Sequence, residues 1–165
     1  MSSKSKETFT LFYHTESPFS QWHPAEFTID GNHFHSAEQY MMYGKAMLFE
    51  DEQTAQRILR AKHPREQKQL GREVQHFNKK HWQQHARDIV YKGNEAKFTQ
   101  NPDLLFALLS TAGTTLVEAS PSDTIWGVGL EADNPLILNR NTWKGTNWLG
   151  EVLTSLRDTL LKEQQ

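Results

Sequence analysis

The sequence predicts a helix-rich α+β fold, a single domain with a few short strands. Three observations carry that expectation. Apolar residues recur at helical spacing in six stretches, most of them opened by a residue that caps helices. Two short runs around a Gly–Asn pair read as a hairpin instead. No repeat, low-complexity block or linker divides the 165 residues, a length that suits one well-packed core and is short for two.

The elements follow in order. Residues 1–8 are polar and read as a disordered tail, leaving 9–165 as the domain. Thr8 to His14 reads as a short strand. Glu26 to Asp30, a Gly31–Asn32 turn and His33 to His35 form the expected hairpin. Ser36 with Gln39 fits a capping box for a helix running from Ala37 to about Phe49. Asp51 caps a helix to about Arg60, and Pro64 suits the first turn of another ending near Gly71. Asn78 caps a long helix whose stripe is Trp82, Ala86, Ile89, Gly93 and Ala96. Asn101–Pro102 opens the next, which Gly113 stops, and Leu116 to Ala119 reads as a strand. Residues Asp123 to Thr146 look irregular. The last helix starts near Asn147 and buries Leu149, Val152, Leu153, Leu156 and Leu160.

The first of these helices is the most informative. Between Ala37 and Phe49 its only charges are Glu38 and Lys45. At about 100° per residue, positions seven apart lie within roughly 20° of each other, so both project from one face. Tyr40, Tyr43, Gly44 and Met47 fall on the opposite face. A helix apolar nearly all round is usually buried, and buried charges need a partner or a task. Seven residues rise roughly 10 Å, too far for the ordinary i,i+4 ion pair. The gap is the size of a small ligand, with a carboxylate at one end and an amine at the other. Two chain ends escaping to water, or pairing elsewhere, is the plainer alternative.

Composition removes several classes. A net charge near −2 gives no sequence-wide basic footprint for polyphosphate. With no cysteine there are neither disulfides nor thiolate metal sites. Apolar runs fall short of the roughly 18 residues of a membrane span, and MSSKSKET lacks the apolar core of a signal peptide. A cytoplasmic protein without a membrane partner is the expectation. His33 with His35, and His81 with His85, have spacings that can hold a metal, but no HExxH or third ligand accompanies them. Neither a metal nor a cofactor is expected. Lys79, Lys80, Arg87 and Lys92 read as a solvated face, which could guide a strand if the substrate were a base within nucleic acid.

The irregular segment holds a second cluster, DTIWGVGL followed by NTWKGTNWLG. A structureless stretch of roughly twenty residues inside a compact domain is more often functional than decorative. Trp126, Gly127 and Gly129 place a flat aromatic beside glycines, whose backbone can approach a ligand closely. Lys144 to Asn147 precede the final helix, where free amides and the positive dipole end favour an anion. A glycine-rich surface loop pinned by its tryptophans is the bland reading of the same residues.

From about Phe9 to Leu160 the chain resembles the NADAR (YbiA-like) family. FYHTESPFSQW, HSAEQYMMYGKA, Gly71–Arg72, HW at Trp82, EAKF at Lys97, DTIWGVGL and WKGTNWLGEVLTSLR carry the resemblance in residues, order and spacing. It implies a YbiA-like α+β fold and metal-free cleavage of N-glycosidic bonds. The substrates it implies are ribosylated: ADP-ribosyl-guanine, free or in nucleic acid, or the phosphoribosylamino-pyrimidine intermediates of riboflavin synthesis, releasing ribose 5-phosphate. By the same resemblance Glu38 and Lys45 match the family's acidic and lysine positions, and Trp82, Asp123, Trp126 and Asn147 its other pocket positions. Some members carry Asp between the two glycines, where this chain has Val128. A carboxylate stabilises a sugar cation at the anomeric carbon, and a desolvated lysine can attack as a neutral amine. A lysine that only binds phosphate or a ribose hydroxyl is the milder alternative. A non-catalytic ADP-ribose or nucleotide-binding module, or an interaction protein with a relic pocket, are the competing classes.

Overall fold

A computed structural model describes residues 6–164. Its elements run β1 (Phe9–Phe12), β2 (Phe27–Ile29), β3 (Asn32–Phe34), α1 (Ala37–Leu48), α2 (Glu52–Arg60), α3 (Pro64–Arg72), α4 (Lys79–Thr99), α5 (Pro102–Leu109), β4 (Thr115–Glu118) and α6 (Trp148–Glu163). Two 3-10 turns, Pro135–Leu138 and Arg140–Thr142, interrupt the irregular segment. The class is helix-rich α+β, as the periodicity requires. The chain divides into two compact units, one drawn from residues up to Ser20 and from Ala107 onward, the other from Gln21 to Phe106. Among the described residues no helix is long and apolar enough to cross a membrane.

In the first unit β1 lies parallel to β4, in register from Phe9 opposite Thr115 to Phe12 opposite Glu118. Parallel neighbours need a long crossover, so this pairing was invisible to local patterns. α6 lies against β4, and its five expected core positions are all buried. A second layer of the core joins Val117, Ala119, Val128, Leu130 and Ile137, with Phe9, Leu11 and Trp143 packed against it. Of the stretch expected as a tail, the first five residues lie outside the described ones. Glu7 takes the Arg140 guanidinium and, at 2.7 Å, the Thr115 hydroxyl. The Thr8 carbonyl accepts from the Thr115 amide at 2.9 Å.

In the second unit α1 packs against α2, α3 and α4. The hairpin turn is a correction: Ile29 pairs with Asn32, so the two turn residues are Asp30 and Gly31, not Gly31 and Asn32. Both have positive φ, +51° and +84°. That is the turn whose twist suits a two-residue hairpin, and Asp-Gly supplies it without strain. Phe27 and Phe34 stack at 5.6 Å on the buried face of the hairpin, against Tyr40.

The cap of α1 also differs in detail from the expected box. Ser36 Oγ accepts from the Gln39 amide at 3.1 Å. Gln39 Oε1, however, accepts from His35 one residue further out, at 2.7 Å, and its Nε2 donates to the carbonyls of Ile58, Leu59 and Ala61. One fully buried side chain thereby ties the start of α1 to the end of α2.

Candidate active site

The helical unit carries three of the residues expected at the site. Glu38 sits in the first turn of α1, 7% exposed, and its amide donates to the Gln21 carbonyl at 2.9 Å. Lys45 lies two turns on and is half-buried. Its Nζ stands 4.7 Å from the centre of the Phe77 ring and 5.9 Å from that of Trp82. The helix–helix packing that produces this is tight: a Cβ on Gly93 would come within 2.7 Å of the Tyr40 ring.

The electrostatics of Lys45 follow from these neighbours. Burial pushes its pKa below the ordinary lysine value; Glu38 acts against that shift and Arg72 adds to it. Lys45 therefore feels both Glu38 and Arg72, and the aromatic walls shield its amine from water. A lysine so placed holds a larger neutral fraction than one in solvent, which is the form able to attack carbon. Arg72 and Phe77 were not among the expected site residues. Nothing local distinguishes a cation at the end of α3 from a solvated one, and Phe77 falls in a short connection outside any periodic pattern.

The other unit holds the remaining expected residues, Asp123, Trp126, Gly127, Gly129 and Asn147, and most of them act on the backbone around them. Asp123 Oδ1 accepts from the amides of Ile125 and Trp126 at 2.9 and 2.8 Å, closing a turn. The Trp126 ring meets Trp148 edge-on, with centroids 5.5 Å apart. Gly129 adopts φ +71°, and a Cβ on Gly127 would lie 2.9 Å from the Asp123 carbonyl oxygen. The glycines thus admit backbone to backbone within the loop.

Asn147 is fully buried with φ +54°. Its side chain accepts from the Glu118 amide at 3.0 Å and donates to the Leu116 carbonyl at 3.0 Å, so it clamps β4. The anion site expected at the start of the last helix is closed. Amides of Asn147, Trp148 and Leu149 donate to the carbonyls of Gly127, Ile125 and Trp126. Loop carbonyls satisfy the donors that an anion would otherwise use.

The early FYHTES stretch lines a cleft of about 700 Å³ together with Glu131 and Asp133. On the hairpin's outer face Glu26 accepts from both His33 and His35, with Glu26 and His33 exposed and His35 partly buried; this is a histidine–carboxylate cluster the strand spacing only half revealed.

A partly desolvated lysine thus shares one helix with a buried carboxylate. The chain belongs to the NADAR family, whose domain matches residues 10–161. N-glycosidase R617 of Acanthamoeba polyphaga mimivirus is 47% identical over 145 residues, 85% of each chain. The solved structure of Escherichia coli YbiA, itself named an N-glycosidase, superposes with a TM-score of 0.78 at 29% identity, covering 98% of this chain and 89% of that one. The chloroplastic riboflavin biosynthesis protein PYRR of Zea mays is 37% identical over 110 residues, 64% of this chain and 16% of that protein. These relatives bear out the expected class, an N-glycosidase.

Proposed function

We propose that this N-glycosidase acts on a ribosylated substrate through Glu38 and Lys45. The observation that carries the reading is the Lys45 amine, held against Phe77 and Trp82 with its pKa lowered, within electrostatic reach of Glu38. Cleavage develops positive charge at the anomeric carbon, and a buried carboxylate stabilises it more strongly than one in water. The neutral Lys45 amine bonds to that carbon as the bond to the base nitrogen breaks. On bonding, the Lys45 nitrogen sheds a proton, and the departing base nitrogen takes one up. Ring opening converts the lysine adduct to an imine, and water adds to it, releasing the sugar and restoring the amine.

Two substrate classes fit: ADP-ribosyl-guanine, and the phosphoribosylamino-pyrimidines of riboflavin synthesis. The second draws support from the likeness to PYRR, named for that pathway. Incubation with each, followed by mass spectrometry of released base and sugar, decides between them. Release of free base with ribose 5-phosphate or ADP-ribose is the expected result. Tight binding of either compound with no product from a folded enzyme would instead make the chain a binding module.

A further inference from the structure

We infer that the cleft formed by Trp22, α2 and α3 binds the phosphate arm of the ribosyl substrate. This rests on the reading of Lys45 given above and adds to it the part of the substrate that fixes orientation. The cleft is open to solvent and offers about 750 Å³, within the usual range of small-ligand sites. Arg57, Arg65, Lys68 and Arg72 line it, against Glu66 and Glu73. Two positive charges remain in excess on a chain whose formal net charge is −2. The sequence places them deliberately: positions 65, 68 and 72 are i, i+3 and i+7, one stripe of α3. Arg57 comes from α2 across the cleft and reaches Glu73 at 3.4 Å. Trp22 offers a flat aromatic wall, with the His63 ring edge-on at 6.2 Å.

Position decides the rest. Arg72 lines the cleft at the end of α3, where Gly71 beside it packs against Met42 of α1, the helix that carries Lys45 one turn further on; its charge also acts on Lys45. A substrate whose phosphate lies on Arg72 therefore brings its ribose toward Lys45, and neutralisation of Arg72 by that phosphate weakens its effect on the amine. The competing anion site at the start of α6 is already filled by loop carbonyls. Arginine is suited to the task because its fork meets two phosphate oxygens at once.

Calorimetric titration of the full chain with ribose 5-phosphate, ADP-ribose and unphosphorylated ribose tests this. Arg72→Gln, and separately the double variant Arg65→Gln with Lys68→Gln, are all exposed changes, and circular dichroism checks their fold. The expected result is a tenfold or greater rise in Kd for at least one phosphorylated sugar in both variants, with ribose unchanged. Failure of wild type to bind either phosphorylated sugar, or equal binding by the variants, overturns the assignment. The measurement needs no turnover. Phosphate-dependent binding lost in the variants of an enzyme that cleaves nothing would keep the cleft and remove the catalytic reading. Unchanged binding in an active enzyme would do the reverse.

Discussion

At the scale of single residues, the proposed chemistry rests on a carboxylate and an amine whose surroundings differ. Glu38 is 7% exposed, while Lys45 keeps an edge to solvent and leans on two aromatic faces. Replacing Glu38 by Gln keeps size and hydrogen-bonding capacity but removes the charge that opposes a sugar cation. The expected outcome is a loss of roughly a thousandfold in kcat at unchanged melting temperature, the scale of one electrostatic group in a water-excluded site. Near-normal hydrolysis by the folded variant would take Glu38 out of the mechanism. Lys45 makes a separate demand on pH. Because burial lowers its pKa, the neutral amine accumulates on raising pH at values below those of a solvent lysine. Activity should rise with pH on that limb, and Arg72→Gln should move the limb upward, since Arg72 is one source of the depression.

At the scale of elements, helices were legible from the sequence and their mutual arrangement was not. Asp51 and Asn78 cap where expected, through bonds to Thr54 and His81. The stripes of α4 and α6 are local periodicities, visible in any window of the right length. The parallel β1–β4 pair joins residues about a hundred positions apart, and no local pattern encodes that. The same limit applies to the candidate site: Glu38 and Lys45 are seven apart and could be read together, whereas Arg72 and Phe77 reach Lys45 only through the packing of α3 and α4. Asp123 and Asn147 were legible as special residues, yet their visible partners are backbone groups of their own unit.

Gly150 shows how tightly that second element is set. A Cβ there would lie 2.0 Å from the Leu116 carbonyl oxygen and 2.5 Å from both polar atoms of the Asn147 side chain. Backbone on β4 cannot retreat as a flexible side chain would. Gly150→Ala should therefore destabilise by about 2 kcal/mol or more, combining overpacking with loss of the Asn147 clamp. A urea midpoint equal to that of the unmodified protein would show that α6 is not held as closely as this geometry states.

At the scale of the whole molecule, stability carries a pH signature from Lys97, which is fully buried in α4. Burial lowers its pKa to about 7. Unfolded, the same lysine titrates near 10.4. Between those values the unfolded chain binds more protons than the folded one, so stability rises with pH across the window. Below about pH 7 both states are protonated and the burden of the buried charge is fully present. Lys97→Met should flatten the dependence between about pH 7 and 10 and raise stability most at the acid end, as read from urea midpoints. A wild-type profile that is flat over this window would contradict the assignment.

The whole enzyme also offers the most direct test of covalent chemistry at Lys45. Borohydride added during turnover reduces an imine to a stable amine, so intact-protein mass should increase by one reduced sugar, mapped by peptide analysis to Lys45. Lys45→Arg keeps the charge but is too basic to attack, and should be inactive and gain no mass. The contradicting result is equally plain: turnover with no trapped sugar, and substantial activity in Lys45→Arg, would reduce Lys45 to a grip on substrate.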